Sequence, residues 1–417
     1  MDGSKSIMNR NVLYLSYDGL TDPLGQSQVL PYLIGLTHQG FRFTILSFEK
    51  KERLKKEGSI IQELVSTAGI QWVPLSFTAT PPVLSKMYDR FRMKREAFRL
   101  HQLKNFDMLH CRSYVAAEVG LKFKRKFNIP FLFDMRGFWA DEKVDNGQWS
   151  LKNPIFNRIY KHYKKKEKQF LLHASGIVSL TYAAKNYLLQ QPSFSQLKID
   201  VIPCCADLDH FNYNRIAQSS VMILKEKLNI PQEKKVICYL GSIGGWYMID
   251  EMLRFYKLLK EKRDYIFLIL TKEDPAIVEN EAKKAGINTN DLRITYSSRS
   301  ELPLYLSLCT SSIFFIRNSF SKIASSPTKL GELMGMGIPV ICNSIGDTEY
   351  IIKKTGAGLL VNAFDDETMS NQLLNMDILE SMSKNEIRKG AFEFFDLQSG
   401  IVKYNELYNR IFANVQS

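Results

Sequence analysis

SIFFIRNSFSKIASSPTKLGELMGMGIPVICN, residues 312–343, carries the pattern that decides the fold. Residues 312–316 form an apolar run too short for a helix, which reads as a strand. SSPTKLGELMG then opens a helix. Ser326 is a good N-cap, and Pro327 suits the first helical position, where its missing N–H costs nothing. Gly335 and Gly337 end the helix and let it pack close to a second strand at 339–342. Neither strand alternates apolar with polar residues, so both are expected to be buried on two faces, as in a parallel sheet covered by helices.

The same design extends in both directions. Apolar runs at 236–240, 265–270, 292–295 and 358–361 alternate with helical patterns. The first half repeats it at 12–17, 42–48, 71–74, 108–111, 131–134, 176–180 and 200–203. Helices are predicted from about Ser27, over 52–68 and 85–104, from Tyr247, and over 399–415. A chain of 417 residues is long for one core. The reading is an α/β protein of two doubly wound, Rossmann-like domains facing across a cleft: residues 1–205, residues 206–395, and a terminal helix at 396–417 packing back toward the first domain. Ligands of such sheets lie beyond the carboxyl ends of the strands, so the loops that follow strands carry the function.

Composition narrows the class. The chain is 45% hydrophobic, 24% charged and 12% aromatic, as a globular protein is. No apolar run approaches the roughly 20 residues of a bilayer span. The first ten residues, MDGSKSIMNR, lack a signal-peptide core and read as a disordered leader. The six cysteines have no C-x-x-C spacing and fall mostly in apolar strands, so buried free thiols in a reducing, cytoplasmic setting are expected. The net charge of +13 is concentrated in residues 86–104, 122–126 and 161–168. Such stretches are solvated helix faces, or they meet an anionic membrane surface or a nucleic acid; the membrane is the reading preferred.

Four loops carry chemistry. In 325–340, the amides of Thr328, Lys329 and Leu330 open the helix, and with Ser325, Ser326 and the Lys329 ammonium they make an anion site. Glu332, one turn on, can accept hydrogen bonds from vicinal hydroxyls such as those of a ribose. In YLGSIGGWYMIDEML (239–253), Gly241, Ser242 and Gly244 let backbone approach a diphosphate closely. In DGLTDPLGQSQVLPYL (18–33), Gly25 and Gln26 would direct amides into the cleft. In FDMRGFWADE (133–142), Asp134, Arg136, Gly137, Trp139 and Asp141 combine carboxylates for hydroxyls, a guanidinium for phosphate and an indole for a sugar face. Asp207 and Asp209 form a D-x-D in the linker, read as structural. His110 and His173 read as core or cleft-edge residues, and no metal is expected.

These segments, in this order, resemble glycosyltransferase family 4, also called group 1. SSPTKLGELMGMGIPVICN resembles its nucleotide-sugar segment, LGSIGGWY its diphosphate loop and VIPCCADLDHF its linker entry. DGLTDPLGQSQVLPYLIGL and FDMRGFWADE resemble motifs of a bacterial polysaccharide-assembly branch. The resemblance implies a GT-B fold with an acceptor-side first domain and a second domain that binds a nucleotide diphosphate-sugar donor. It also implies retention at the anomeric carbon, no cofactor, and a lipid-linked or saccharide acceptor at the inner membrane face. By motif, Glu332 would hold the ribose. Ser326, Thr328, Lys329, Leu330, Gly241 and Ser242 would hold the diphosphate, and Asp134, Arg136 and Trp139 would face sugar or acceptor.

Two departures stand out. Many members carry a glutamate eight positions before Glu332, where this chain has Ala324. Many also carry an Arg and a Lys after the diphosphate loop, absent from GSIGGWYMIDEM. Lys329, Arg317 and Arg136 are the cations expected to stabilise the departing diphosphate in their place. The alternatives are a nucleotide-sugar 2-epimerase on the same fold, or a non-catalytic protein binding nucleic acid or another ligand.

Overall fold

The structure, a computed structural model, describes residues 10–416. The expected leader falls, through residue 9, outside the described residues. The chain divides into two compact units. The first runs through Pro203 and takes up the chain again from Leu397; the second is Cys204–Asp396.

The first unit is built on β1 (Arg10–Ser16), β2 (Phe41–Glu49), β3 (Gln71–Ser76), β4 (Met108–Arg112), β5 (Phe131–Asp134), β6 (Gly176–Ser179) and β7 (Ile199–Val201). Their order across the sheet is β3-β2-β1-β4-β5-β6-β7, every neighbour parallel. The second unit has β8 (Lys235–Leu240), β9 (Tyr265–Leu270), β10 (Leu292–Thr295), β11 (Ser311–Phe314), β12 (Val340–Cys342) and β13 (Gly358–Leu360), ordered β10-β9-β8-β11-β12-β13 and again wholly parallel. Each sheet reverses its winding beside its first strand, at β1/β4 and at β8/β11. Those switch points open the crevices in which doubly wound sheets hold ligands.

Two local readings need correction. The segment predicted as one helix from Ser27 is two, Pro23–Gln28 and Leu30–Thr37, broken at Val29. The helix expected from Tyr247 begins at Ile249, because Tyr247 is drawn into an antiparallel bridge with Ile316.

The terminal helix, Leu397–Gln416, packs on helix Leu30–Thr37 of the first unit and buries Ile401, Tyr404, Leu407, Tyr408, Ile411 and Phe412. In the second unit, helix Lys384–Phe395 packs against helix Thr328–Gly335. Its buried Arg388 donates to the carbonyls of Gly335, Phe211 and Leu208, so the last carbonyl of helix Thr328–Gly335 is satisfied by a side chain while the three before it accept from backbone amides. All six cysteines are buried and free.

Candidate functional site

The second unit assembles its site at the carboxyl ends of β8 and β11. β8 leaves the sheet at Leu240, and Gly241 turns the chain with φ +140°. A side chain is excluded there twice over: the backbone is unfavourable to L residues, and a Cβ would lie 2.7 Å from Lys329 Nζ. The Tyr239 hydroxyl donates to the Ser242 carbonyl at 2.6 Å, and the Tyr247 amide to the Gly244 carbonyl at 3.1 Å. The loop is thus fixed beside the end of β11, where the Arg317 amide donates to the Trp246 carbonyl at 2.8 Å. The Arg317 side chain is exposed.

Helix Thr328–Gly335 starts one residue later than expected. Pro327 occupies the capping position, and the Ser326 hydroxyl instead accepts from the Cys204 amide at 3.2 Å. The Leu330 amide donates to the Pro327 carbonyl at 3.0 Å, so it is not an open donor. Ser325 and Thr328 remain partly exposed at the entry.

Lys329 is the unusual residue. Its Nζ lies 3.6 Å from the Tyr247 ring centroid, 4.5 Å from that of Tyr239 and 5.5 Å from that of Phe314. It is buried and has no hydrogen-bond partner. Aromatic faces offset part of an ammonium's desolvation, about 2 kcal/mol, but cannot replace water. Burial therefore holds its pKa well below the ordinary lysine range, with only Glu332 pulling it upward. The Glu332 carboxyl is shifted the other way: burial raises its pKa, while Arg299 first, then Lys329 and His210, oppose the rise.

Arg299 was not anticipated. Its Nη1 donates to Glu332 Oε1 at 3.1 Å. The guanidinium lies 5.4 Å from the Phe211 ring centroid, and the Arg299 carbonyl accepts from His210 Nε2 at 2.9 Å. The one available signal was its position just past β10, at the carboxyl end of a strand. Lys322 was also missed; it is buried, with Nζ 3.8 Å over the Trp246 ring in the glycine loop, two residues before the buried Ala324. Asp207, the first residue of the D-x-D, accepts from the amides of Asp209 and His210 at 3.1 and 3.0 Å, a turn contact. Among the described residues, no three of His, Cys, Asp and Glu converge as metal ligands.

The first unit gathers charge at the ends of β4 and β5. Asp134 is buried, with Oδ2 at 3.5 Å from His110 Nε2 and 3.8 Å from Arg112 Nη1, and Oδ1 at 3.8 Å from Arg136 Nη1. Burial raises the Asp134 pKa, but Arg136, His110 and Arg112 together outweigh it and hold the carboxyl below the usual range. Arg136 adopts a left-handed backbone, φ +57°, and Gly137 follows at φ +132°. That turn brings the guanidinium back over the strand end; a non-glycine residue held so costs about 1 kcal/mol or more. His110 belongs to the core, whereas His173 is exposed in the last turn of its helix.

Other expected residues of this unit have different employment. Trp139 sits among Tyr114, Trp149 and Tyr163. Asp141 accepts from the Tyr160 hydroxyl and from Lys164 Nζ, both at 2.8 Å. The Asp141 carboxylate is thereby taken up by an internal ion pair, while Trp139 packs in this aromatic cluster and stays partly exposed. The Gln26 amide donates to the Asp22 carbonyl at 3.1 Å, and its side chain bonds Glu57. Gly25 packs so tightly that a Cβ would fall 2.2 Å from the Gly19 carbonyl oxygen. The amide of Gln26 is therefore spent within the helix and does not offer an open donor.

Comparison with known proteins gives a consistent picture. A family model described as glycosyl transferases group 1 matches residues 222–390, and one described as glycosyltransferase family 4 matches residues 29–210. No curated protein matches the sequence significantly. Among solved structures, the fold is similar to sucrose-phosphate synthase from Thermosynechococcus elongatus, with TM-score 0.72, 14% identity, and 97% and 100% of the two chains covered. It is similar to a glycosyltransferase from Rickettsia africae ESF-5, with TM-score 0.69, 16% identity and coverage of 97% and 99%. It is also similar to HepE of Anabaena in complex with UDP-glucose, with TM-score 0.69, 12% identity and coverage of 96% and 99%. These likenesses establish a GT-B fold.

Proposed function

Given that this chain belongs to the group 1 glycosyltransferases, family 4 type, we propose that it moves a sugar from a nucleoside diphosphate to a lipid-linked saccharide, with retention and without a metal. The reading rests on one observation above all: the Lys329 ammonium, buried and without a hydrogen-bond partner, beside a glycine turn and a helix N-terminus. A diphosphate is the ligand whose charge would complement that lysine and helix end. HepE, solved with UDP-glucose, supports a nucleotide-sugar donor.

In this mechanism the bond from the anomeric carbon to the diphosphate oxygen breaks, and the acceptor hydroxyl oxygen bonds to that carbon from the same face. The hydroxyl proton passes to the leaving phosphate oxygen. Lys329 and the Thr328 end of the helix stabilise the charge that develops there, as pre-aimed dipoles and cations do. Arg136 and Arg317 are the further cations assigned to the reaction, Glu332 the ribose contact, and Asp134 the acceptor side.

The acceptor is assigned to the cytoplasmic face of an anionic membrane. Helix Pro82–Lys104 supports this with exposed Leu84, Met87, Tyr88 and Phe91 at helical spacing, set among basic residues. Among the described residues no helix is long and apolar enough to cross a membrane.

The test uses purified donors. Lys329→Ala and Glu332→Ala should each lower transfer about 100-fold or more. Near-normal transfer by both would remove the assignment of this helix. Incubation with donor alone should yield no epimer; an epimer would replace the transferase reading with an isomerase.

A further inference from the structure

A buried carboxylate is a reliable hydroxyl acceptor only while ionised and held in place. Glu332 faces Arg299, Lys329, His210 and Tyr247. Lys329 is itself short of hydration, so it is a weak source of compensation. Arg299 makes the direct contact, 3.1 Å from Oε1, and is anchored on two sides: by Phe211 beneath its guanidinium and by His210 Nε2 on its carbonyl. Oε1 is thus engaged by Arg299, which leaves Oε2 for a hydroxyl of a ligand. Arg299 has a side chain one-third exposed, so it approaches Glu332 from the solvent side of the helix.

We propose that Arg299 is the positioning residue for the ribose contact, pinning one oxygen of Glu332 so that the other selects a ribonucleotide over its deoxy counterpart. The inference rests on the donor reading above and deepens it: Arg299 need not touch the nucleotide. Burial of Glu332 favours its neutral form, and Arg299 is the first of the groups that oppose this. Without Arg299, the neutral form of Glu332 is favoured further and the orientation of its carboxylate is lost.

The experiment measures calorimetric affinity for UDP and GDP and for dUDP and dGDP, between about pH 6 and about pH 9. In Arg299→Ala the affinity for the ribonucleotide that binds should fall about tenfold near pH 7. The variant-to-wild-type ratio should recover in part as pH rises, the residue of the loss being that of orientation, and discrimination against the deoxy form should shrink. Arg299→Lys should restore much of both, whereas Arg299→Ala in a Glu332→Gln background should add no pH-dependent loss. A loss that is equal at every pH, or that falls equally on ribo and deoxy ligands, would overturn the positioning role while leaving the donor reading intact. Failure of the wild-type protein to bind any of the four nucleotides would defeat the donor reading, and this inference with it. Circular dichroism of both single variants checks that each is folded.

Discussion

A buried lysine amine enclosed by Tyr247, Tyr239 and Phe314, with no hydrogen bond, costs the second unit stability whenever it carries charge. The sign of its pH dependence follows. Its folded pKa lies below the unfolded one, so between the two values the unfolded chain binds more protons and stability rises with pH. The window ends near the ordinary lysine value of about 10.4. Lys329→Met, of similar volume, should raise unfolding free energy near neutrality by about 1–3 kcal/mol and remove that slope, while abolishing nucleotide binding. Urea titrations at several pH values check this; a variant less stable than wild type at neutral pH would mean that Lys329 is a structural cation. Asp134 presents the opposite case, a buried carboxylate compensated by Arg136, His110 and Arg112, and its ionisation survives burial.

At the scale of the element, helix Pro82–Lys104 is divided by chemistry. Ser85, Asp89, Met93, Ala97 and Leu100 face the first unit's interior. On the other side Leu84, Met87, Tyr88 and Phe91 are 64%, 58%, 56% and 59% exposed, a contiguous patch larger than scattered surface residues make. Basic side chains flank it: Arg92 over the Tyr88 ring, Lys86 over Phe77, and the exposed Arg95 and Arg99 beyond. Such a face suits the interface of an anionic bilayer, where apolar insertion and charge attraction add. Sedimentation with phosphatidylglycerol vesicles should retain the protein, and neutral phosphatidylcholine vesicles should not. Met87→Ser with Phe91→Ser should reduce retention about tenfold without changing nucleotide affinity. Equal retention by the double variant would assign the patch to something other than lipid.

The whole molecule is two parallel-sheet units that share a chain in an interrupted way: the last helix belongs to the first unit, although the second is synthesised before it. The chain enters and leaves the second unit at adjacent points, with the Ala206 amide donating to the Phe395 carbonyl at 2.7 Å. Removing residues from Leu397 onward strips seven large buried side chains from the first unit, Leu397 among them, each worth about 1.5–3 kcal/mol. That sum matches or exceeds the whole stability of an ordinary domain, about 5–15 kcal/mol. A chain ending at Asp396 should therefore lose native fluorescence from Trp72, Trp139 and Trp149 while the second unit, which contains Trp246, still melts cooperatively. Unchanged melting of the three first-unit tryptophans would show that the helix is dispensable.

Strand positions and winding were legible in the linear order of residues. Runs such as YIFLIL (residues 265–270) and FLF (131–133) are apolar on both faces, and only a covered parallel sheet accommodates them. Lys329, Glu332 and Gly241 were legible for a related reason: a helix start and a glycine turn are local features, fixed by neighbours in the chain. Arg299 joining Glu332, Phe211 supporting Arg299, and Lys322 over Trp246 were not, because they are separated by tens of residues and meet only when strands align. Trp139 and Asp141 show the converse. Their residue types suit sugar binding, but the direction in which a side chain points is set by the packing of the surrounding elements: here it turns Asp141 inward onto Lys164 and leaves Trp139 partly exposed.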